Sequence, residues 1–219
     1  RRNAFDTAQT VAVLYSKRLP AAYGYSPFTD IQVICPSKKG EAGTNNLNKM
    51  LQELVNPHEK GKNEINVGFK VFREGDKVMQ IKNNYNIGWE KGKDSGEGIF
   101  NGDIGIIEKI DNRNECVIIC FDDDRRATYM KDQLIELELA YAVTVHKSQG
   151  SEFKAVILPI ISVIPQLKYR NLLYTAVTRA KEKLVIVGSS AEVFEMAQND
   201  KKTRRYSALK YMLLENNNE

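Results

Sequence analysis

The chain has 219 residues, 42% hydrophobic and 27% charged, with a formal net charge of +4. That balance is ordinary for a soluble globular protein with enough chain for one large core or two small ones, and the mild positive charge admits nucleic acid as a partner without requiring it. A membrane-spanning helix, which needs about 20 apolar residues, is excluded because the longest apolar run, Val156 to Ile164, is short and broken by Pro159.

The first residues, Arg1 to Asp6, carry neither a starting Met nor a signal-peptide pattern, so the chain reads as a segment of a longer protein. Residues 6–16 have helical periodicity, with Asp6 as the expected N-cap and Ala8, Val11, Ala12 and Tyr15 on one face. Turn signals follow at Pro20, Gly24 and Pro27. Ile31–Cys35 is a short apolar strand closed by Pro36, and a Lys38-Lys39-Gly40 turn leads to a helix that Thr44 can cap. That helix has Leu47, Met50, Leu51, Leu54 and Val55 at core spacing and ends at Asn56-Pro57. Strand, loop and helix in this order belong to an α/β domain.

Between 76 and 130 the texture changes. Short strands are expected at Lys77–Lys82, Ile104–Ile110, Cys116–Phe121 and Arg125–Met130, separated by Gly- and Asn-rich turns, which suggests a small barrel or sandwich. Asp122-Asp123-Asp124 imitates a metal-binding strand end, but Arg125-Arg126 follows at once, so a charged hairpin turn is expected. The α/β pattern then returns with buried strands at Leu139–Val145, Ala155–Ile160 and Leu184–Val187 and helices over 169–180, 191–198 and 203–215. Three cysteines, Cys35, Cys116 and Cys120, are too few and too scattered for a disulfide framework and point to a reducing, cytoplasmic compartment. No His or Cys cluster accompanies them, so no metal site is expected.

Two stretches carry chemistry. Thr144 to Phe153 follows a predicted strand and crowds polar residues and Gly150 into the loop behind it. Thr144, His146, Lys147 and Ser148 offer hydroxyl, imidazole and ammonium donors suited to phosphates, and Gln149, Ser151 and Glu152 complete the polar stretch. Loops at the C-terminal ends of parallel strands are where ligands bind in open α/β sheets. Asn171, Thr175 and Thr178 form a polar stripe on the following helix, flanked by Arg179, and an Arg beside a triphosphate stabilises charge that builds in the transition state.

Thr144–Phe153 resembles motif V of superfamily 1 helicases, and Tyr174–Lys181 resembles their motif VI. The string Ala140 to Phe153 is similar to the RecD/TraA branch in particular, the exodeoxyribonuclease V alpha-chain type. Ile31–Gly40 with Gly43, Leu47-Asn48 and Leu51-Gln52 resembles that branch's motif IV segment. Gly75–Gln80, Asn83-Asn84-Tyr85 and Asn101–Gly105 resemble the SH3-type barrel inserted in its second motor domain. The resemblance runs from residue 6 to 190.

It implies an α/β fold: a RecA-like parallel-sheet second lobe over 1–68 and 134–219, without a P-loop of its own, and an inserted SH3-like barrel over 69–133. It implies the C-terminal portion of a 5′ to 3′ ATP-dependent DNA helicase of recombination and repair. Arg179 is then the finger reaching the γ-phosphate, with Gln149, Gly150 and Glu152 against the nucleotide. Lys39 stands where relatives often carry a phosphate-touching Arg, whose bidentate fork Lys cannot make. Thr144, His146, Lys147 and Ser148 would face single-stranded DNA or relay between DNA and ATP. Asn83, Asn84, Tyr85 and Asn101 of the barrel serve equally as strand-facing groups or as turn formers.

A G-x-x-x-x-G-K-[ST] loop and its acidic Mg²⁺ partner are not in this sequence. The expectation is therefore that ATP and Mg²⁺ are used by the full-length protein, with a first motor lobe and single-stranded DNA as partners, and that this segment alone hydrolyses no ATP. Subunits of a nuclease complex are further candidate partners. The motor half of a conjugative relaxase–helicase and a non-enzymatic nucleic-acid-binding module remain open alternatives.

Overall fold

The computed structural model describes residues 3–200; the helix predicted over 203–215 lies outside them. Helix α1 (Ala4–Val13) is capped by Asn3, whose side chain accepts from the Asp6 amide at 2.7 Å, so the cap sits one turn earlier than the expected Asp6. The helix does not stop at the turn signals. It widens through Leu14–Arg18, where Leu19 N–H reaches back to the Leu14 carbonyl, and continues as α2 (Leu19–Tyr23). The wider turn lets the chain pass Pro20, which has no N–H to donate and crowds the preceding turn. Gly24, at φ 69°, ends it.

Strand β1 (Ile31–Cys35) is buried along its whole length. A tight loop leads to α3 (Thr44–Val55), whose N-cap is Gly43 rather than Thr44. A Cβ on Gly43 would lie 2.4 Å from the Lys39 carbonyl, so only glycine fits there. Leu47 and Leu51 of α3 enter the core, whereas Leu54, expected on the same face, is half exposed.

Next come β2 (Glu64–Val67) and β3 (Lys70–Arg73), a hairpin, then β4 (Lys77–Gln80), β5 (Asn84–Lys91), β6 (Asp94–Ile99), β7 (Ile104–Asp111), β8 (Cys116–Phe121), β9 (Arg126–Met130) and β10 (Leu137–Leu139). The last seven form one sheet in the order β10-β4-β7-β8-β9-β5-β6. The β5–β6 hairpin lay hidden in a stretch read as turns because of its glycines. Gly96 is bare so that the Trp89 ring can lie on it: a Cβ would come within 2.6 Å of the indole. Asp122–Asp124 is a hairpin turn, with Asp124 at φ 66° and Arg125 bonded to Asp123 and Asp103. The insert's own core runs from Ile65 to Leu137, wider than the expected 69–133.

The α/β part resumes with β11 (Ala142–Thr144), β12 (Phe153–Ile160), α4 (Arg170–Val177), β13 (Ala180–Gly188) and α5 (Ser190–Gln198). Its four-stranded sheet has the order β11-β1-β12-β13, all parallel. Two cores flank it. One gathers α1, α3 and one face of β1 and β12; the other gathers Ile34, Val156, Leu158, Leu172, Ala176 and Met196.

Three expectations are corrected here. Leu139–Val145 is not one strand: β10 joins the insert's sheet and β11 joins the parallel sheet, with Ala140-Tyr141 crossing between them. The helix over 169–180 is shorter, because Ala180 pairs with Phe153 and already belongs to β13. β13 is an edge strand, so Leu184 and Ile186 are 37% and 41% exposed rather than buried.

A buried carboxylate fastens the insert to the α/β lobe. Asp76, fully buried, accepts from Gln52 of α3 and from Asn56, its C-cap, at 2.6 and 2.7 Å, from the Arg73 amide at 2.7 Å and from the Tyr141 hydroxyl at 2.8 Å. Burial nevertheless holds its pKa above the usual carboxylate value.

Candidate nucleotide and nucleic-acid interface

The 144–153 loop leaves the C-terminal end of β11 and enters the N-terminal end of β12, so it spans both edges of the parallel sheet. A 3-10 turn over Val145–Ser148 begins it. Ser148 is fully buried and donates its hydroxyl to the Val145 carbonyl at 2.9 Å, so it holds the turn and does not face outward as expected. His146, Gln149, Gly150 and Glu152 are exposed. Gly150 sits at φ 87° with open space where a Cβ would be, a backbone that L side chains rarely adopt.

At the N-terminal edge the loop meets Arg179, the residue before β13. Arg179 donates to the Thr175 carbonyl, the Ser151 carbonyl and the Thr178 hydroxyl, each at 3.1 Å. In return Phe153 N–H donates to the Arg179 carbonyl at 2.9 Å. The guanidinium is thus half-buried and held by three neutral acceptors. Lys181 pairs with Glu152 at 3.4 Å across the same edge, with both side chains more than half exposed. The Arg179 bond to the Ser151 carbonyl therefore ties Arg179 to the stretch of loop that holds Gly150 and Glu152.

The C-terminal edge is different. Lys38 lies 3.0 Å and Lys147 3.6 Å from the Glu138 carboxylate, and Lys70 donates to the Leu137 carbonyl at 2.8 Å. Burial opposes ionisation of Glu138, but Lys38, with Lys147 and Lys70 behind it, holds its pKa below the usual carboxylate range. Burial, against the pull of Glu138, lowers the pKa of Lys147. Thr44 and Thr144 line the narrow cleft between these groups. Lys39, expected at the nucleotide, stands on this side too: it borders a cavity with Pro36, Gly40, Gly43 and Ile161, at the ends of β1 and β12 away from Arg179. Lys38, Lys70 and Glu138 escaped the sequence reading, because a lysine-rich turn and a lone Glu carry no periodic signal.

On the insert, Asn83, Tyr85 and Asn101 converge. The Asn101 amide donates to the Asn83 side chain at 2.9 Å, and Asn83 approaches the Tyr85 hydroxyl at 3.4 Å. The Tyr85 ring, 65% exposed, meets Phe100 edge-on at 5.7 Å. Phe100 was missed, because a lone aromatic before an Asn-Gly turn carries no signal of whether its ring is exposed. Asn84 instead donates to Glu136 inside the insert at 2.9 Å. Among the described residues, no group of three or more His, Cys, Asp and Glu side chains is placed to hold a metal ion, and no helix is long and apolar enough to cross a membrane.

Residues 47–121 match the family described as the ATP-dependent RecD-like DNA helicase SH3 domain, and residues 139–187 match the UvrD-like helicase C-terminal domain. The chain is 34% identical over 179 residues to the ATP-dependent RecD2 DNA helicase of Deinococcus radiodurans, covering 82% of this chain and 23% of that protein. It is 28% identical over 162 residues to the RecBCD enzyme subunit RecD of Mycolicibacterium smegmatis, covering 74% of this chain and 26% of the relative. It thus spans about a quarter of these relatives' lengths. A Pif1 helicase from Bacteroides, solved with ADP-AlF3 and ssDNA, shares the fold at a TM-score of 0.51 and 17% identity, covering 98% of this chain and 50% of that one. The α/β part is a RecA-like lobe and the insert an SH3-like domain.

Proposed function

Since the chain is a segment of a RecD-type helicase, we propose that the whole protein is a cytoplasmic ATP-dependent DNA helicase of recombination and repair, moving 5′ to 3′ on a single strand. In this reading the two edges of the parallel sheet divide the work. The N-terminal edge, with Gln149, Gly150, Glu152 and Arg179, faces ATP held by another motor lobe of the same protein. The C-terminal edge, with Lys38, Lys39, Thr144, His146 and Lys147, faces the DNA backbone, where neutralising phosphates releases counterions and binds strand without regard to sequence. Among the described residues Mg²⁺ has no fitting donor set, because Asp122–Asp124 is a turn whose Asp123 already pairs with Arg125; in this reading it belongs with the lobe that holds the phosphates. Subunits of a nuclease complex are candidate partners.

The observation that carries this reading is Arg179. Its three acceptors are neutral and no carboxylate pairs with it among the described residues, whereas a phosphate would add an opposite charge and the bidentate geometry that a guanidinium fork matches. A γ-phosphate brought to this edge would draw the guanidinium off Ser151 and Thr178 and onto the developing charge. A change at the phosphate would then loosen the 150–153 loop, whose other end carries the DNA-facing groups.

The test is ATP hydrolysis by the whole protein, with and without single-stranded DNA, for wild type and Arg179→Ala. The expected result is a loss of turnover of about 10³-fold or more with DNA affinity unchanged. Full turnover in Arg179→Ala would remove Arg179 from the reaction, and wild-type protein without DNA-stimulated hydrolysis would end the motor reading.

A further inference from the structure

Lys77 opens β4 in the SH3-like insert, yet it is only 1% exposed. Burying an ammonium is costly unless it is paired, and an apolar side chain would fill the same space more cheaply. Among the described residues Lys77 forms no ion pair. Its Nζ donates to the Ile31 carbonyl at 3.3 Å and lies 5.7 Å from the centroid of the Phe153 ring. Ile31 begins β1 and Phe153 begins β12, so one side chain of the insert reaches the N-terminal ends of the two central strands of the motor sheet. Phe153 also borders a cavity of about 320 Å³, walled on the insert side by Gly102, Asp103 and Asp122 and on the motor side by Ser151 and Glu152. Ser151 and Phe153 are the residues whose backbone holds Arg179.

We propose that Lys77 is a positioning residue that couples the SH3-like insert to the 150–153 loop, so that DNA held by the insert alters how Ser151 and Phe153 hold Arg179. The inference rests on the reading of Arg179 as the group that meets ATP. The contact to Phe153 is a cation–π attraction, strengthened by desolvation and lost when the cation is neutral. The charged groups that act on Lys77 are Asp122 on the β8–β9 turn and Asp30 before β1, while Asp103 and Glu152 line the cavity that Phe153 and Asp122 also border. Asp30 is itself paired with Lys154 of β12 at 2.9 Å, and Asp76, next to Lys77 in the chain, is occupied by its own four donors. Burial pushes the pKa of Lys77 down to about 8, against the pull of Asp122 and Asp30.

Coupling and stability then depend on pH in opposite directions. Coupling needs the cation, so it weakens as pH rises through about 8. Stability rises over the window from about 8 to the usual 10.5, because there the unfolded chain binds more protons than the folded one. A merely structural lysine would show only the second trend.

The experiment measures DNA-stimulated ATP hydrolysis and binding of a labelled single-stranded oligonucleotide by the whole protein. It compares wild type, Lys77→Met and Lys77→Arg at about pH 7 and about pH 9, where Arg keeps its charge and a buried Lys does not. Lys77→Met is expected to bind the oligonucleotide within about twofold of wild type while losing about tenfold or more of the DNA stimulation. Wild type is expected to lose stimulation between the two pH values, and Lys77→Arg to keep it. Normal stimulation in Lys77→Met, or an equal fall with pH in wild type and Lys77→Arg, would overturn the proposal. If Lys77→Met does not fold, the pH comparison of wild type with Lys77→Arg decides alone. Wild type unstimulated at about pH 7 would instead sink the motor reading, and this inference with it.

Discussion

The two edges of the parallel sheet hold their cations in opposite ways. At the C-terminal edge Lys38 and Lys147 share one carboxylate, and the Lys38 side chain is 46% exposed. At the N-terminal edge Arg179 is fixed by three hydrogen bonds to its own lobe. A flexible ammonium in water suits a ligand that slides, since each phosphate replaces another at little cost. A planar guanidinium held in place suits a single charge that appears at one point in a reaction. One loop, 144–153, has an end in each setting, and in the proposed function it would link strand binding to chemistry.

The largest expected disturbance of this division comes from neither edge. Asp76→Ala strands four donors in the junction between α3, the insert and the 140–141 connection. It should cost about 4 kcal/mol of stability, read as a fall in melting temperature, and should disorder the C-terminal edge first, because Glu138 hangs on the same connection. Unchanged melting would mean that the insert is held by apolar contacts alone. Next is Arg179→Lys, which keeps the charge and loses the fork: turnover should fall about 10²-fold, with single-strand affinity intact. Activity close to wild type would mean that only charge matters at that edge, erasing the contrast with the lysines. Smaller again is Lys147→Ala. It should weaken single-strand binding uniformly across sequences and lower the salt slope by about one counterion, with turnover at saturating DNA preserved. A drop in turnover at saturating DNA would show that the two ends of the loop cannot be separated.

The α/β elements were legible in the sequence where burial is two-sided. β1, apart from the buried Gln32, and β12 from Ala155 onward read as apolar runs because both of their faces are covered. β13 gives a similar run and yet is half exposed, since position in the sheet, which sequence does not encode locally, decides what covers it. The insert was harder. Its β5–β6 hairpin relies on glycines under an aromatic ring, a contact between residues whose own propensities argue against strand. At the site, the loop stood out because polar residues crowd one stretch of chain, whereas Arg179 stood out only through the resemblance of Tyr174–Lys181 to a helicase motif. The lysine cluster was not, because Lys38, Lys70, Glu138 and Lys147 meet only after the insert folds back on the motor lobe.

The smallest effect is expected at Tyr85, and it tests whether the insert adds a third kind of contact. Its exposed ring stands edge-on to Phe100, and base-on-aromatic stacking is worth about 1–3 kcal/mol per base. Part of that is offset by giving up water, so Tyr85→Ala should weaken single-strand binding about fivefold. No charge is removed, so the salt slope should stay at its wild-type value, unlike that of Lys147→Ala. Tyr85→Phe should bind as wild type, because the hydroxyl's contact with Asn83 is long, at 3.4 Å. Asn83→Ala is the counterpart. It removes the acceptor for the Asn101 amide and should cost about 1 kcal/mol of stability while leaving the ring in place. If Tyr85→Ala and Phe100→Ala both leave affinity unchanged while Asn83→Ala destabilises the fold, the patch is a turn support, and the strand is gripped by the motor lobe's cations alone.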